Sequence, residues 1–407
     1  MKARRIVVFA AIIGGLLSAG YGVMFTLLDD YRDNYGISES RLGFIVGIGF
    51  IVSFVAQVTL APLADRGHAK RLIVAGVGMQ VAGLLFMGFG TTMLTISIGR
   101  AVMGLGIGMA LPAVRRVVIL ADPDGLGKNM GTLVASDVAG FALGPVISAV
   151  LEPPFGIAAP FVAIAVASLI AVPFILRENV NEAVSAPTQR LAFDLLKNRG
   201  IAGAVMMGLA VFVMIGTFDA LWAVVLDDMK APEWIASVGI TVFAMPLLVL
   251  GRVGGTLTQR LGPFRVATVG LTIGALLMTG YGFWPSGIVM LIFGVIHGVN
   301  DGLTVTGTGV AVGMLAPPER QAAAQGLVGG VQVLAGGLVA MGAGWLYEKT
   351  DRATVYTVCG ITMVALVALG SILAGPNWSM RPAIATTPPA LDPEVTTVAA
   401  LATGSTP

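Results

Sequence analysis

Charge is what this sequence has least of. Of its 407 residues, 11% are Asp, Glu, Lys or Arg, against about 25% in a typical soluble domain, so most of the chain is not built to face water. The single cysteine, Cys359, lies in an apolar run, which excludes a disulfide framework and a thiolate metal site. Two histidines, His68 and His297, are too few to form a zinc centre alone. A net charge of +2 gives no reason to expect a nucleic-acid partner. A Gly-rich phosphate loop ending in Lys-Ser or Lys-Thr is missing, which argues against an ATP-driven pump. No thiol–imidazole pair stands out as a catalytic centre. The reading is therefore of a non-enzyme, with no cofactor and no metal.

Hydrophobic length is what the chain has instead. A helix needs about 20 apolar residues to cross a hydrocarbon core of roughly 30 Å. Twelve such runs lie near 6–28, 42–62, 72–91, 93–117, 129–151, 155–176, 200–226, 235–257, 265–284, 287–313, 322–347 and 353–374. They predict an all-α integral membrane protein whose solvent is the lipid bilayer, because lipid offers no partner for unpaired backbone groups. Met1-Lys2-Ala3-Arg4-Arg5 leads into a run too long for a signal-peptide core, so that run is expected to stay as the first span. With the N-terminus inside, 17 Lys and Arg fall on the inner side and 5 on the outer. The split predicts a multi-pass protein of the cell membrane with both termini cytoplasmic. Trp222, Trp234, Trp284 and Trp345 then fall at outer helix ends, as an interfacial belt would have them.

The chain repeats itself at half its length. Leu63-Ala64-Asp65-Arg66 is echoed by Leu257-Thr258-Gln259-Arg260, Asp137 by Gln332, and Leu28-Asp29-Asp30 by Leu226-Asp227-Asp228. Two matched six-helix bundles are expected, at 1–176 and 200–374, joined by a polar cytoplasmic linker at 177–199. A Pro- and Thr-rich tail at 375–407 is expected to be disordered.

Three motifs sharpen this. Ala61-Pro-Leu-Ala-Asp65-Arg66-Gly67-His68-Ala-Lys70-Arg71 resembles the inner-loop signature G-x-L-A-D-R-x-G-R-K of the major facilitator superfamily, with Ala61 and His68 in place of glycines. Arg100-Ala-Val-Met-Gly104-Leu-Gly106 is similar to that family's proton-coupling motif. Gly140-Phe-Ala-Leu-Gly144-Pro145 resembles its antiporter motif, without the final glycine pair. The resemblance implies two six-helix bundles rocking about a midplane site, with a monomer sufficient. It also implies a gating loop of Asp65, Arg66, Lys70 and Arg71, with Arg260 in the second half, that stabilises the outward-open state.

Ionisable groups inside lipid are costly and usually face a cavity or a partner. Asp301 is midway along the tenth run, with Asn300 beside it and His297 one turn back, so carboxylate and imidazole share a face. They read as a proton site or as a structural hydrogen-bonded cluster. Asp219 and Trp222 read as a subsite for a cationic or aromatic solute, or as a helix-end acid reaching interfacial water. Asp137 reads as a cavity group or one arm of an ion pair, and Arg100 as an anion receptor, a partner for a carboxylate, or a bridge to backbone carbonyls. Tyr21 is a further candidate for cavity polarity. The first functional expectation is proton-coupled efflux of a small amphipathic solute. The alternatives are proton-coupled uptake of a metabolite or organic anion centred on Arg100, and a non-transporting membrane sensor.

Overall fold

The computed structural model describes residues 2–177 and 191–381. The middle of the expected linker, including Arg190, and the expected tail beyond 381 lie outside the described residues. Among the described residues every regular element is a helix. The first half runs α1 (Lys2–Thr26), α2 (Leu28–Tyr35), α3 (Glu39–Thr59), α4 (Ala69–Phe89), α5 (Met93–Ala121), α6 (Leu126–Phe155) and α7 (Ala158–Arg177). The second runs α8 (Arg199–Asp228), α9 (Glu233–Leu261), α10 (Pro263–Tyr281), α11 (Gly287–Thr304), α12 (Gly307–Leu315), α13 (Gln321–Lys349) and α14 (Arg352–Ala374). Eleven spans are long and apolar enough to cross a membrane, α11 and α12 counting as one, and α7 carries the shorter apolar stretch Ala158–Phe174. Large apolar side chains such as Leu94 (69% exposed) and Leu276 (67% exposed) coat the outside, which only lipid makes favourable.

Local chemistry sets the helix ends. Thr92 and Thr95 start α5 with a reciprocal capping box, each hydroxyl accepting from the other's backbone N–H at 3.3 and 3.2 Å. Asp351 starts α14 by accepting from Thr354 N–H at 2.9 Å. Gly36, at φ 63°, ends α2 in the left-handed region.

Three departures from the sequence reading matter. The first outer loop carries α2, held because Tyr31 is fully buried and donates to the Met87 carbonyl at 2.9 Å. The tenth span breaks between α11 and α12. There Thr304-Val305-Thr306-Gly307 are weak helix formers, and the Thr304 hydroxyl bonds back to the Asn300 carbonyl at 2.8 Å, a contact that bends helices. The tail begins later than expected, because Gly375–Ser379 form a 3-10 turn that folds back on α10. There Trp378 Nε1 donates to Thr268 Oγ1 at 3.3 Å and the Arg265 guanidinium lies 4.9 Å from the Trp378 ring centre.

The buried apolar core falls into three clusters. One lies in the second half together with Ala192 and Leu195 of the linker and two lie in the first, but Val310 and Ala322 of the second half join a first-half cluster. The halves meet along α6 against α9 and α3 against α13.

Candidate functional site

At one end of the bundle the two halves are fastened by matched contacts. The loop after α3 forms a 3-10 turn, Ala61–Arg66, in which Asp65 is fully buried. Its carboxylate accepts from Ala322 N–H at 2.9 Å and Ala323 N–H at 2.8 Å, the free amides at the start of α13. A helix start carries partial positive charge and unpaired donors, so an acid is held there twice over. Arg116 of α5, 1% exposed, donates from Nε to Asp65 Oδ1 at 2.9 Å. In the other half Gln259, near the end of α9, accepts from Gly127 N–H at 2.7 Å at the start of α6 and donates to the Asp124 carbonyl at 3.1 Å.

Beside these latches the backbones touch. A methyl on Gly127 or Gly131 would overlap the carbonyls of Gly255 and Gly251 across the α6–α9 seam. In the α3–α13 seam, Gly326, Gly329 and Gly330 lie against Gln57 and Phe54. Within the first half, Gly140 and Gly144 of α6 meet the backbone of Gly15 and Gly22 in α1, Gly104 meets Gly49 of α3, and Gly106 meets Gly76 of α4. Small residues permit such close approach. Pro145 sits exposed inside an unbroken α6.

Above the latches, polar groups gather where the halves face each other. Arg100, 1% exposed, places its guanidinium 5.0 Å from the Tyr21 ring centre and 5.4 Å from that of Phe50. No carboxylate pairs with it among the described residues. Gly49 makes the room, since a side chain there would strike the guanidinium. Tyr21 also packs on Phe25 and Phe141, at 4.7 and 5.8 Å between ring centres. Asp137 is half-buried, 3.9 Å from Arg115 and beside Gly14. Gln332 occupies the equivalent place in the second half, beside Gly208.

Asp219 belongs to the second half yet lies within electrostatic reach of Tyr21 in the first. It is nine residues from the end of α8, roughly 14 Å along the helix axis. Its side chain is exposed. Among the described residues no cation pairs with it.

A separate cluster lies inside the second half. His297, fully buried, has Nε2 at 3.8 Å from Asp301 Oδ2 and 3.1 Å from Met214 Sδ, and Nδ1 at 3.4 Å from the Tyr281 hydroxyl. Asn300 Nδ2 donates to Asp301 Oδ1 at 3.1 Å and to the Gly270 carbonyl at 3.0 Å. Phe243 caps His297 edge-on, with ring centres 5.4 Å apart.

Several expectations change. Asp301 shares its face with His297 and, at 4% exposure, is enclosed among groups of the second half. Trp222 is 2% exposed, stacks on Phe218 at 4.9 Å and meets Tyr281 edge-on, in a space where Gly239 carries no side chain. That removes it from the interfacial belt, where Trp234 and Trp345 are 53% and 62% exposed. Lys70 donates to the Leu176 carbonyl at the end of α7, within its own half. Arg66 makes its contacts half-buried at the turn. Arg71 and Arg260 are exposed; the residue that crosses between halves is Gln259. Arg116 on Asp65 and Phe50 against Arg100 are additions that the structure makes to the sequence candidates. The offset of 194 between positions 65 and 259 was the available signal for Gln259.

A family model described as Major Facilitator Superfamily matches residues 8–238 and 220–398, two copies that meet near the middle of the chain. The chain belongs to the major facilitator superfamily. Among curated relatives, "Uncharacterized MFS-type transporter YuxJ" of Bacillus subtilis (strain 168) is 25% identical over 303 residues, covering 70% of this chain and 76% of the relative. "Multidrug resistance protein MdtG" of Proteus mirabilis (strain HI4320) is 24% identical over 303 residues, covering 69% and 75%. Among solved structures, the proton:xylose symporter XylE bound to 6-bromo-6-deoxy-D-glucose superposes with a TM-score of 0.72 at 14% identity, covering 90% of this chain and 94% of that one. FucP in the outward conformation gives 0.71 at 14% identity, covering 90% and 98%. At that identity the superpositions speak to fold alone. This major facilitator protein is thus a multi-pass membrane transporter of a small molecule, with two repeated halves.

Proposed function

We propose that this transporter exports an amphipathic compound in exchange for protons, by rocking residues 1–176 against 200–374 about the level of Arg100 and Asp219. The carrying observation is that Asp219, with no cation paired to it among the described residues, lies within electrostatic reach of Tyr21, which packs with Phe25, Phe50 and Phe141. A lone carboxylate at membrane depth is costly unless it binds a proton or a cation, and the two compete. Aromatic faces accept the apolar part of such a solute. Relatives that carry the name multidrug resistance protein point the same way. The reading of Arg100 as an anion receptor has less support, because its guanidinium is buried under two rings.

In this reading Asp65, Arg116, Gln259 and the glycine seams close the cytoplasmic end, both termini lie on that side of the cell membrane, and the monomer is the working unit. Asp301 with His297 is a second place for a proton. The test is a proteoliposome assay with an imposed pH gradient and a lipophilic cation. Expected are gradient-driven exchange and loss of coupling in Asp219→Asn. Flux indifferent to the gradient, with Asp219→Asn and Asp301→Asn as active as the unsubstituted protein, overturns the proton claim. Solute moving in the same direction as protons replaces export by uptake, and binding without flux leaves a sensor.

A further inference from the structure

A groove of about 430 Å³ runs between α1 and α7 on the outside of the first half. Its walls are Phe9, Ile12, Ile13 and Leu16 on α1 and Ala167, Ile170, Ala171 and Phe174 on α7. The α1 residues recur at i, i+3, i+4 and i+7, one continuous face of a helix. Small Ala167 and Ala171 hollow out the other wall, and Phe9 stacks on Phe174 at 5.9 Å between ring centres, bridging the helices. From Phe9 to Leu16 the groove is about 10 Å long, about two thirds of the roughly 15 Å depth of one leaflet of hydrocarbon.

The helices continue past that groove with cations. Arg5 is one turn before Phe9 and Arg177 three residues beyond Phe174, so each extends its own wall of the groove toward the latch end. Both are exposed, as is Arg4. Lys70 reaches across to the carbonyl of Leu176, adjacent to Arg177. Carbon-lined space that opens beneath a cluster of basic groups at the membrane edge matches an acidic lipid on both counts. A soluble phosphate would use the cations and leave the groove empty.

We infer that the α1–α7 groove is a binding site for an anionic glycerophospholipid of the latch-side leaflet, with one acyl chain along Phe9–Leu16 and Ala167–Phe174 and the phosphate at Arg5 and Arg177. The transport reading neither requires this site nor fails with it.

The experiment places a reporter in the groove. Ile170→Trp is reconstituted in phosphatidylcholine nanodiscs doped with either phosphatidylglycerol or phosphatidylcholine brominated on its chains, and quenching above that of the unsubstituted protein is followed. The expected result is half-maximal quenching at a roughly tenfold lower mole fraction of the anionic lipid. That preference is lost in the Arg5→Gln/Arg177→Gln background, is absent at a control Leu276→Trp on α10, and is unaffected by millimolar inorganic phosphate. Equal quenching by the two lipids, a preference that survives loss of both arginines, an equal preference at position 276, or displacement by inorganic phosphate each overturns the site. Should Ile170→Trp fail to fold, native mass spectrometry of the unsubstituted protein decides: retained phosphatidylglycerol that the arginine double variant loses supports the site, and no excess over phosphatidylcholine refutes it.

Discussion

Asp65 and Gln259 hold the same place in the two halves, 194 positions apart, and each accepts an amide at the start of a helix in the opposite half. Asp65 takes Ala322 and Ala323 of α13; Gln259 takes Gly127 of α6. The duplicated geometry survives while the chemistry differs. Asp65 is charged and backed by buried Arg116, whereas Gln259 is neutral and position 310, where a second arginine would stand, is Val310.

Asp65→Ala is expected to cost about 3–5 kcal/mol, since it strands a buried guanidinium. Gln259→Ala is expected to cost about 1 kcal/mol, a neutral hydrogen bond. Thermal unfolding in detergent measures the ranking. Spin labels at Arg71→Cys and Arg260→Cys, in a Cys359→Ala background, read the closed population by electron–electron distances. Asp65→Ala should broaden or lengthen that distance and Gln259→Ala should shift it less. Equal effects would remove the charge argument.

Glycines divide into those that touch backbone and those that face open space. Gly140→Ala and Gly144→Ala each drive a methyl into α1, an overpacking worth about 1–3 kcal/mol of lost stability. Gly78→Ala and Gly342→Ala meet nothing within 4 Å and should gain about 0.5–1 kcal/mol through helix propensity. Melting temperatures of the four variants, compared side by side, check the opposite signs.

Arg100→Lys is expected to behave as a loss, because an ammonium does not reproduce a planar group lying on two rings. Exchange in proteoliposomes should fall at least tenfold while the protein still folds, as judged by circular dichroism and gel filtration. Transport unchanged in Arg100→Lys would reduce the stacking to packing.

The Arg320 guanidinium binds Asp194 in a bidentate pair, at 3.0 and 2.8 Å, and also donates to the Leu191 carbonyl. That hydrogen bonding holds the Asp194 carboxyl below the usual carboxylate range. A group whose folded value is depressed adds stability above its unfolded value, about 3.9, and loses it as pH falls through the folded one. The unsubstituted protein should therefore lose more stability than Asp194→Asn between pH 5 and pH 3. Thermal unfolding across that window measures the difference, and parallel curves would refute it.

The spans were legible because lipid leaves one solution for a long apolar run, and the repeat because duplication preserved spacing around Asp65 and Gln259. Arg116 was not, since nothing in Arg115-Arg116 tells which of two adjacent arginines turns to the buried acid. The burial of Trp222 was not legible either, since an outer-end tryptophan reads as interfacial until Phe218, Tyr281 and Gly239 are seen to enclose it. The break in the tenth span was spelled out by Thr304-Val305-Thr306-Gly307, but apolar content masked it.

That break has a bearing on Asp301. Its own carbonyl accepts from Val305 N–H at 2.9 Å, so the residue anchors the final regular turn of α11. With its carboxylate enclosed and its main chain tied to the bend, Asp301 would be opened to water by any unwinding of that turn. Proton exchange by that route would be timed by a backbone event of the kind that hydrogen–deuterium exchange at Val305 records.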